Sequence, residues 1–301
     1  MEKKKTEMIA ADEWERVLKN NILPTIGNML INSVKRSIII ALLEKPAADK
    51  GKSAADKAYK IIKSIMDWYA KRQDDFVSPI VKGLWTIESN NRKRALNDAE
   101  LKDLWTACDD DKVGIIIGSY AKMLILTLCR RDELRLMRRS EIATNGIWII
   151  PAERMKGMKG KKVPHLIPLP QLALDILTKI PRVGDSDLVF TNDGKRAIAP
   201  KYAKDKIDRV CKIEPWTFHD TRRTSRGLMV RAKVNDDIIE RCLAHKITGI
   251  KGVYNVYEYN DEKKQAFANL ADMLEEVVTG KKKFKHLYPY PEEYGISYMS
   301  E

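Results

Sequence analysis

From Ser53 to Arg72 the apolar residues Ala58, Ile61, Ile62, Ile65, Met66 and Tyr69 recur at the i, i+3, i+4 spacing of one α-helical face. Upstream, helices are predicted over Ala11–Lys19, halted near Pro24, and over Val34–Glu44, with Ser33 placed to cap the second. Lys45–Gly51 reads as a loop, and Ser78-Pro79 closes this first helical region. Asn90-Asn91-Arg92-Lys93-Arg94 is polar, basic and without apolar period, so it reads as a linker.

Beyond the linker, Asn97 followed three residues later by Glu100 resembles a capping box, opening a helix through Cys108. The side chains of Asp109, Asp110 and Asp111 are consecutive and do not converge on one point, so they read as a solvated turn and not as a metal site. Val113–Cys129 is apolar enough to be a central buried helix. Asn145-Gly146 precedes a strand at Ile147–Ile150, and Val163–Pro168 reads as the returning strand. Between them, 153–162 carries Arg154, Lys156, Lys159, Lys161 and Lys162 against one acid, the pattern of a β-hairpin with a basic tip. Helices follow over Gln171–Lys179, Pro200–Cys211, His219–Ala232, Asp236–Leu243 and Asp261–Val278. The fold class is mainly α with a small β-sheet (α+β). The expected organisation is a helical domain at 1–89, a linker at 90–97, a second domain at 98–280 and a polar, aromatic tail at 281–301.

Composition narrows the partner. A 301-residue chain that is 44% hydrophobic and 32% charged, with 15 glycines, suits a helix-rich soluble protein of about two domains. Its net charge of +13 favours a polyanion, with nucleic acid the usual one. A membrane surface is the competing reading, but a basic amphipathic terminal helix with aromatic anchors is not evident. The longest apolar stretches, Ile38–Leu43 and Met123–Cys129, are too short to span a bilayer. The start, Met1 to Thr6, is basic but lacks the apolar core of a signal peptide. Cys108, Cys129, Cys211 and Cys242 are scattered, which reads as buried reduced thiols in a cytoplasmic protein.

Four separated boxes carry the candidate chemistry. Arg130 is followed by Glu133-Leu134; His219-Asp220-Thr221-Arg222-Arg223-Thr224 and Leu243-Ala244-His245 come later; Tyr254 lies nine residues past His245. Arginine suits a phosphate because its planar fork donates bidentately and stays protonated. Histidine can donate to phosphate or handle a nucleophile's proton. Lysine can protonate a leaving oxygen, and tyrosine can carry a phosphoryl group covalently.

These boxes resemble the tyrosine recombinases, the phage integrase family, and are similar to integrases of satellite prophages and genomic islands. Residues 94–101, Trp148–Lys156 and Pro164–Leu169 are similar to that subgroup as well, and the resemblance covers roughly residues 10–280. It implies a helical core-type DNA-binding domain and a catalytic domain that clamp duplex DNA, act as a homo-tetramer on two sites, and need no metal or other cofactor. It implies phosphate clamping by Arg130 and Arg222, a general acid in Lys156, assistance from His219 and His245, and Tyr254 as nucleophile of a 3′-phosphotyrosyl link. Glu133 would orient Arg130. Accessory DNA-bending or directionality factors are further expected partners, and the site of action is the cytoplasm, at the nucleoid.

The chain departs from the family pattern at two glycines, replaced by Leu128 before the first arginine and by Ala244 in the Leu-Gly-His box. The subgroup usually carries an additional N-terminal arm-binding domain; this sequence begins at what resembles the core-binding domain, so the expectation is either that it is part of a longer protein or that this member does without that domain. Alternatives are weighed beside each assignment. Lys159 competes with Lys156 for the acid role, and Tyr257 and Tyr259 compete with Tyr254. His165 reads as a hairpin residue, and Arg223 as structural or DNA-backbone contacting. The expected function is integration or excision of a mobile element. Relaxation of DNA by a type IB topoisomerase, or a non-catalytic DNA-binding regulator, are the rival readings.

Overall fold

The computed structural model describes residues 11–87, 93–155, 162–245 and 259–281. They form two compact units, one within residues 1–92 and the other from Lys93 onward, each around its own hydrophobic core.

In the first unit, α1 (Ala11–Val17) passes through a π-helical turn, Leu18–Ile22, into the short α2 (Leu23–Ile26). Pro24 does not end the helical region as expected. It occupies the first turn of α2, where an N–H has no helical partner to lose. Ser33 closes a 3-10 turn and does not cap the next helix; its hydroxyl donates to the Leu30 carbonyl at 2.7 Å. That helix, α3 (Arg36–Lys50), runs through the stretch expected to be a loop. Pro46 is buried with Ile39, Leu42 and Leu43, and this packing offsets the helical hydrogen bond that proline cannot make. The turn comes only at Gly51, whose φ of 84° disfavours other residues. α4 (Lys52–Ala70) lays Ala55, Ala58, Tyr59, Ile61, Ile62 and Met66 into this core against α3, as the helical spacing predicts. Trp85 Nε1 donates to the buried Asp56 carboxylate at 2.7 Å, tying the following loop back to α4.

The second unit opens with the expected capping box. Asn97 Oδ1 accepts from the Glu100 N–H (2.9 Å), and Glu100 Oε2 accepts from the Asn97 N–H (3.0 Å), starting α5 (Asp98–Ala107). Arg94 and Leu96, within the stretch read as linker, are packed on this unit. Arg94 Nη2 reaches Glu100 at 2.7 Å, and the Leu96 N–H donates to Thr224 Oγ1 at 2.8 Å. Asp109 pairs with Lys122 at 2.6 Å. α6 (Ile115–Thr127) is the central helix, with each residue from Ile117 to Thr127 buried. A Cβ on Gly118 would lie 1.9 Å from the Cys108 carbonyl oxygen, so only glycine admits this approach.

α7 (Arg131–Arg135) follows, then β1 (Ile147–Ile150) and β2 (His165–Pro168). The strands pair antiparallel with Ile147 opposite Pro168 and Ile150 opposite His165, and Trp148, Ile150 and Ile167 are buried. The hairpin tip, 156–161, lies outside the described residues. The remaining helices are α8 (Gln171–Lys179), α9 (Pro200–Val210), α10 (Phe218–Arg231), α11 (Asp236–Cys242) and α12 (Asn260–Thr279). α10 and α12 pack on each other and on α6, and α12 also meets α11 and β2. An edge-to-face series, Phe190–Tyr120–Phe218–Trp216 with successive centroids 5.4 Å apart, locks α6 to the start of α10. All four cysteines are buried and unbridged. Among the described residues no helix is long and apolar enough to cross a membrane.

Candidate active site

Arg130 is the residue immediately before α7, in the N-cap position. The buried Glu133 accepts both its backbone N–H (2.7 Å) and its Nη1 (2.8 Å), so one carboxylate closes the helix start and fixes the guanidinium. Two residues earlier, Leu128 ends α6 in the left-handed region at φ 51°. Its carbonyl accepts from Arg222 Nη1.

Arg222 stands on α10, which starts one residue before the position expected. Asp220 Oδ2 accepts from the Thr217 N–H at 2.8 Å, a capping signal the sequence reading passed over. Arg222 is 5% exposed. Its Nη2 donates to the Leu243 carbonyl and faces His245 Nε2 at 3.2 Å. Burial, and then the charge of Arg130, lower its pKa to about 10, which leaves it cationic at neutral pH. The bond to Leu128, two residues before Arg130, brings the Arg222 guanidinium to the segment that carries Arg130.

α11 ends in a Schellman motif. The His245 N–H donates to the Glu240 carbonyl and the Ala244 N–H to the Arg241 carbonyl, both at 3.0 Å, with Ala244 at φ 49°. Such a position favours glycine, and an L-residue there costs about 1–2 kcal/mol. Leu128 and Ala244, the two departures from the family pattern, are therefore both left-handed residues, and each adjoins or supplies a carbonyl that grips Arg222. His245 Nδ1 lies 2.6 Å from Glu240 Oε2.

His219 is exposed on the rim of the cluster. Desolvation, and then the charges of Arg223, Arg222 and Arg130, push its pKa below the usual histidine value. Arg223 is one helical turn on from His219, and its charge acts on that ring more strongly than those of Arg222 and Arg130. His165 takes part in a way the sequence did not signal. It is buried on β2, with Nε2 3.1 Å from the Cys242 carbonyl. Burial pushes its pKa down to about 4, so the neutral ring donates Nε2–H and ties the hairpin to the end of α11.

The structure thus brings together Arg130, His219, Arg222 and His245. Lys156 and Tyr254, with their rivals Lys159 and Tyr257, lie outside the described residues. The described chain resumes at Tyr259, whose ring carries the Arg241 guanidinium 3.9 Å from its centroid. Among the described residues no group of three His, Cys, Asp or Glu side chains is arranged to hold a metal ion.

Two arginines and two histidines whose charges and hydrogen bonds act on one another, on a mainly helical unit with one small hairpin, make a cluster suited to a phosphate. A lambda integrase tetramer bound to a Holliday junction has the same fold: TM-score 0.60 at 13% identity, over 83% of this chain and 72% of that one. The family model described as Phage integrase family matches residues 94–261, more than half of the chain, and the chain belongs to that family, the tyrosine-type site-specific recombinases. It is 26% identical over 285 residues to the prophage integrase IntZ of Escherichia coli (strain K12), covering 90% of this chain and 67% of that protein. It is 25% identical over 281 residues to the integrase of Enterobacteria phage P4, covering 86% of this chain and 64% of that protein. The chain therefore spans about two thirds of the length of these relatives.

Proposed function

We propose that this chain cuts and rejoins duplex DNA at specific sites to integrate or excise a mobile element. The observation that carries the reading is Arg222, a buried guanidinium held against the charge of Arg130 and the imidazole of His245. Such preorganised donors supply what a phosphodiester needs as charge develops on its oxygens. The Tyr254 phenol attacks the phosphorus, passing its proton to one of the assisting histidines; the P–O5′ bond breaks, and Lys156 protonates the departing 5′-oxygen. A 3′-phosphotyrosyl link remains. Attack on it by the 5′-hydroxyl of a partner strand reverses these steps and restores the phenol, with no net consumption of bond energy. His219 and His245 assist at the phosphate, and Arg223 adds a cationic contact to the backbone.

In this reading, residues 1–89 are a helical core-type DNA-binding domain, 98–280 the catalytic domain and 281–301 a tail, and either 256–278 or that tail docks on a neighbouring subunit. A homo-tetramer on two duplexes fits the tetrameric assembly of the lambda integrase that shares the fold. Accessory DNA-bending factors join that complex, and the enzyme works at the nucleoid.

A nicked suicide substrate tests the proposal. Wild type should form a denaturation-resistant protein–DNA adduct, and Tyr254→Phe should not. Loss of the adduct in Tyr257→Phe with retention in Tyr254→Phe would reassign the nucleophile. No adduct with any substrate, together with sequence-selective binding, would overturn the reading. Strand transfer between two labelled duplexes separates recombination from simple relaxation.

A further inference from the structure

Glu240 has no part in the chemistry proposed above, yet it holds His245 at two points. Its backbone carbonyl accepts the His245 N–H at 3.0 Å, and its side-chain Oε2 lies 2.6 Å from His245 Nδ1. The other carboxylate oxygen is 3.4 Å from both Nε and Nη2 of Arg226, which stands one turn beyond Arg222 on α10. Arg226 Nη2 also reaches Asp236 at the start of α11, at 3.2 Å. The carboxylate is thus braced from the same helix that carries Arg222.

A carboxylate only accepts hydrogen bonds, so Nδ1 must carry the proton on that side of the ring. The neutral ring then has its lone pair on Nε2, which matches the Arg222 Nη2–H pointing at it from 3.2 Å. Nε2 is therefore the nitrogen presented to Arg222. Burial disfavours the Glu240 carboxylate, but its hydrogen bonds to His245 and Arg226 and the Arg226 charge outweigh it and hold its pKa below the usual value. It is ionised at neutral pH and able to act this way.

We propose that Glu240 is a positioning residue that fixes the tautomer and orientation of His245, with Arg226 bracing Glu240. The bland alternative is an ion pair that merely closes a helix. Such a half-exposed pair adds little stability and leaves the ring free to choose its tautomer. The inference rests on the role proposed for His245 at the phosphate.

Nitrogen-15 NMR of the imidazoles in DNA-free protein reads the tautomer directly, and the chain has four histidines to assign. Wild type should show His245 protonated on Nδ1, and Glu240→Gln should show a mixture of tautomers at unchanged fold. In single-turnover adduct formation Glu240→Gln should lose on the order of 10- to 100-fold, as partners that orient a histidine do. On a His245→Ala background the same change should cost nothing further. An Nε2-protonated ring in wild type, an unaltered tautomer in Glu240→Gln, or an equal loss on both backgrounds overturns the assignment. Should wild type form no adduct at all, the functional reading fails, and the NMR arm still decides whether Glu240 sets the ring.

Discussion

Arg130 and Arg222 have the same side chain and the same proposed partner, a phosphate, yet the molecule holds them by opposite means. Arg130 is a local product. Its partner is three residues away, its side chain is 30% exposed, and the carboxylate that orients it also closes its helix. Arg222 is a tertiary product. It is buried, and its donors go to carbonyls 94 and 21 residues distant in sequence. A local device gives a charge that solvent and substrate can reach. A tertiary socket gives one whose direction is fixed before any substrate arrives, at the expense of desolvation. The contrast teaches that a phosphate site can combine an accessible charge with a preset one.

The largest expected effect tests that contrast. Arg222→Lys keeps the charge but cannot reach two carbonyls at once, so adduct formation should fall about 10²- to 10³-fold in a single-turnover assay. Two buried acceptors also lose donors, so urea denaturation should show a loss of about 2 kcal/mol or more. Arg130→Lys should impair adduct formation as well, with a much smaller loss of stability. Equal losses of stability in the two variants would erase the distinction between a local and a tertiary arginine.

The second effect concerns the hairpin's hold on the Arg222 socket. Unfolded His165 takes a proton below about pH 6.5, while the folded residue stays neutral down to about pH 4. The unfolded state therefore binds more protons across this window. The contribution of His165 is complete above about pH 6.5 and declines as pH falls toward 4, by up to about 3 kcal/mol. Between pH 7 and pH 5, wild type should lose about 2 kcal/mol more than His165→Gln in urea titrations. Identical pH dependence in both proteins would show that the ring is solvated.

Smaller effects separate the two left-handed turns. Leu128→Gly relieves about 1–2 kcal/mol of backbone strain but removes a fully buried side chain, whose loss costs about 2–5 kcal/mol. The variant should be less stable, by about 1–3 kcal/mol. Ala244→Gly relieves similar strain and gives up only a methyl group. It should gain about 1 kcal/mol, raising the melting temperature by about 2–4 °C in a thermal scan. A loss of stability in Ala244→Gly would mean that the left-handed geometry at that turn is not strained.

Much was legible along the chain, for reasons that differ by element. The Asn97–Glu100 box and the apolar stripe of α4 are short-range patterns, and both occur as read. The loop expected at Lys45–Gly51 failed because proline was taken as a local breaker; burial of Pro46 against the core overrode that preference. His165 lies on the hairpin as read, but its bond to the end of α11, like the hold of Glu240 on His245, went unread for a similar reason. A lone histidine on a strand and a glutamate on a short helix carry no spacing signal, and their partners are set by packing.

By itself the sequence determined the residue types able to meet a phosphate, the helical periods, and the capping of α5, because each depends on neighbours a few residues apart. The tertiary structure alone decided which carbonyls grip Arg222, which nitrogen of His245 faces Arg222, and that both replaced glycines lie in left-handed turns. Those features need segments far apart in the chain to meet in space, where burial raises the cost of any polar group left unpaired.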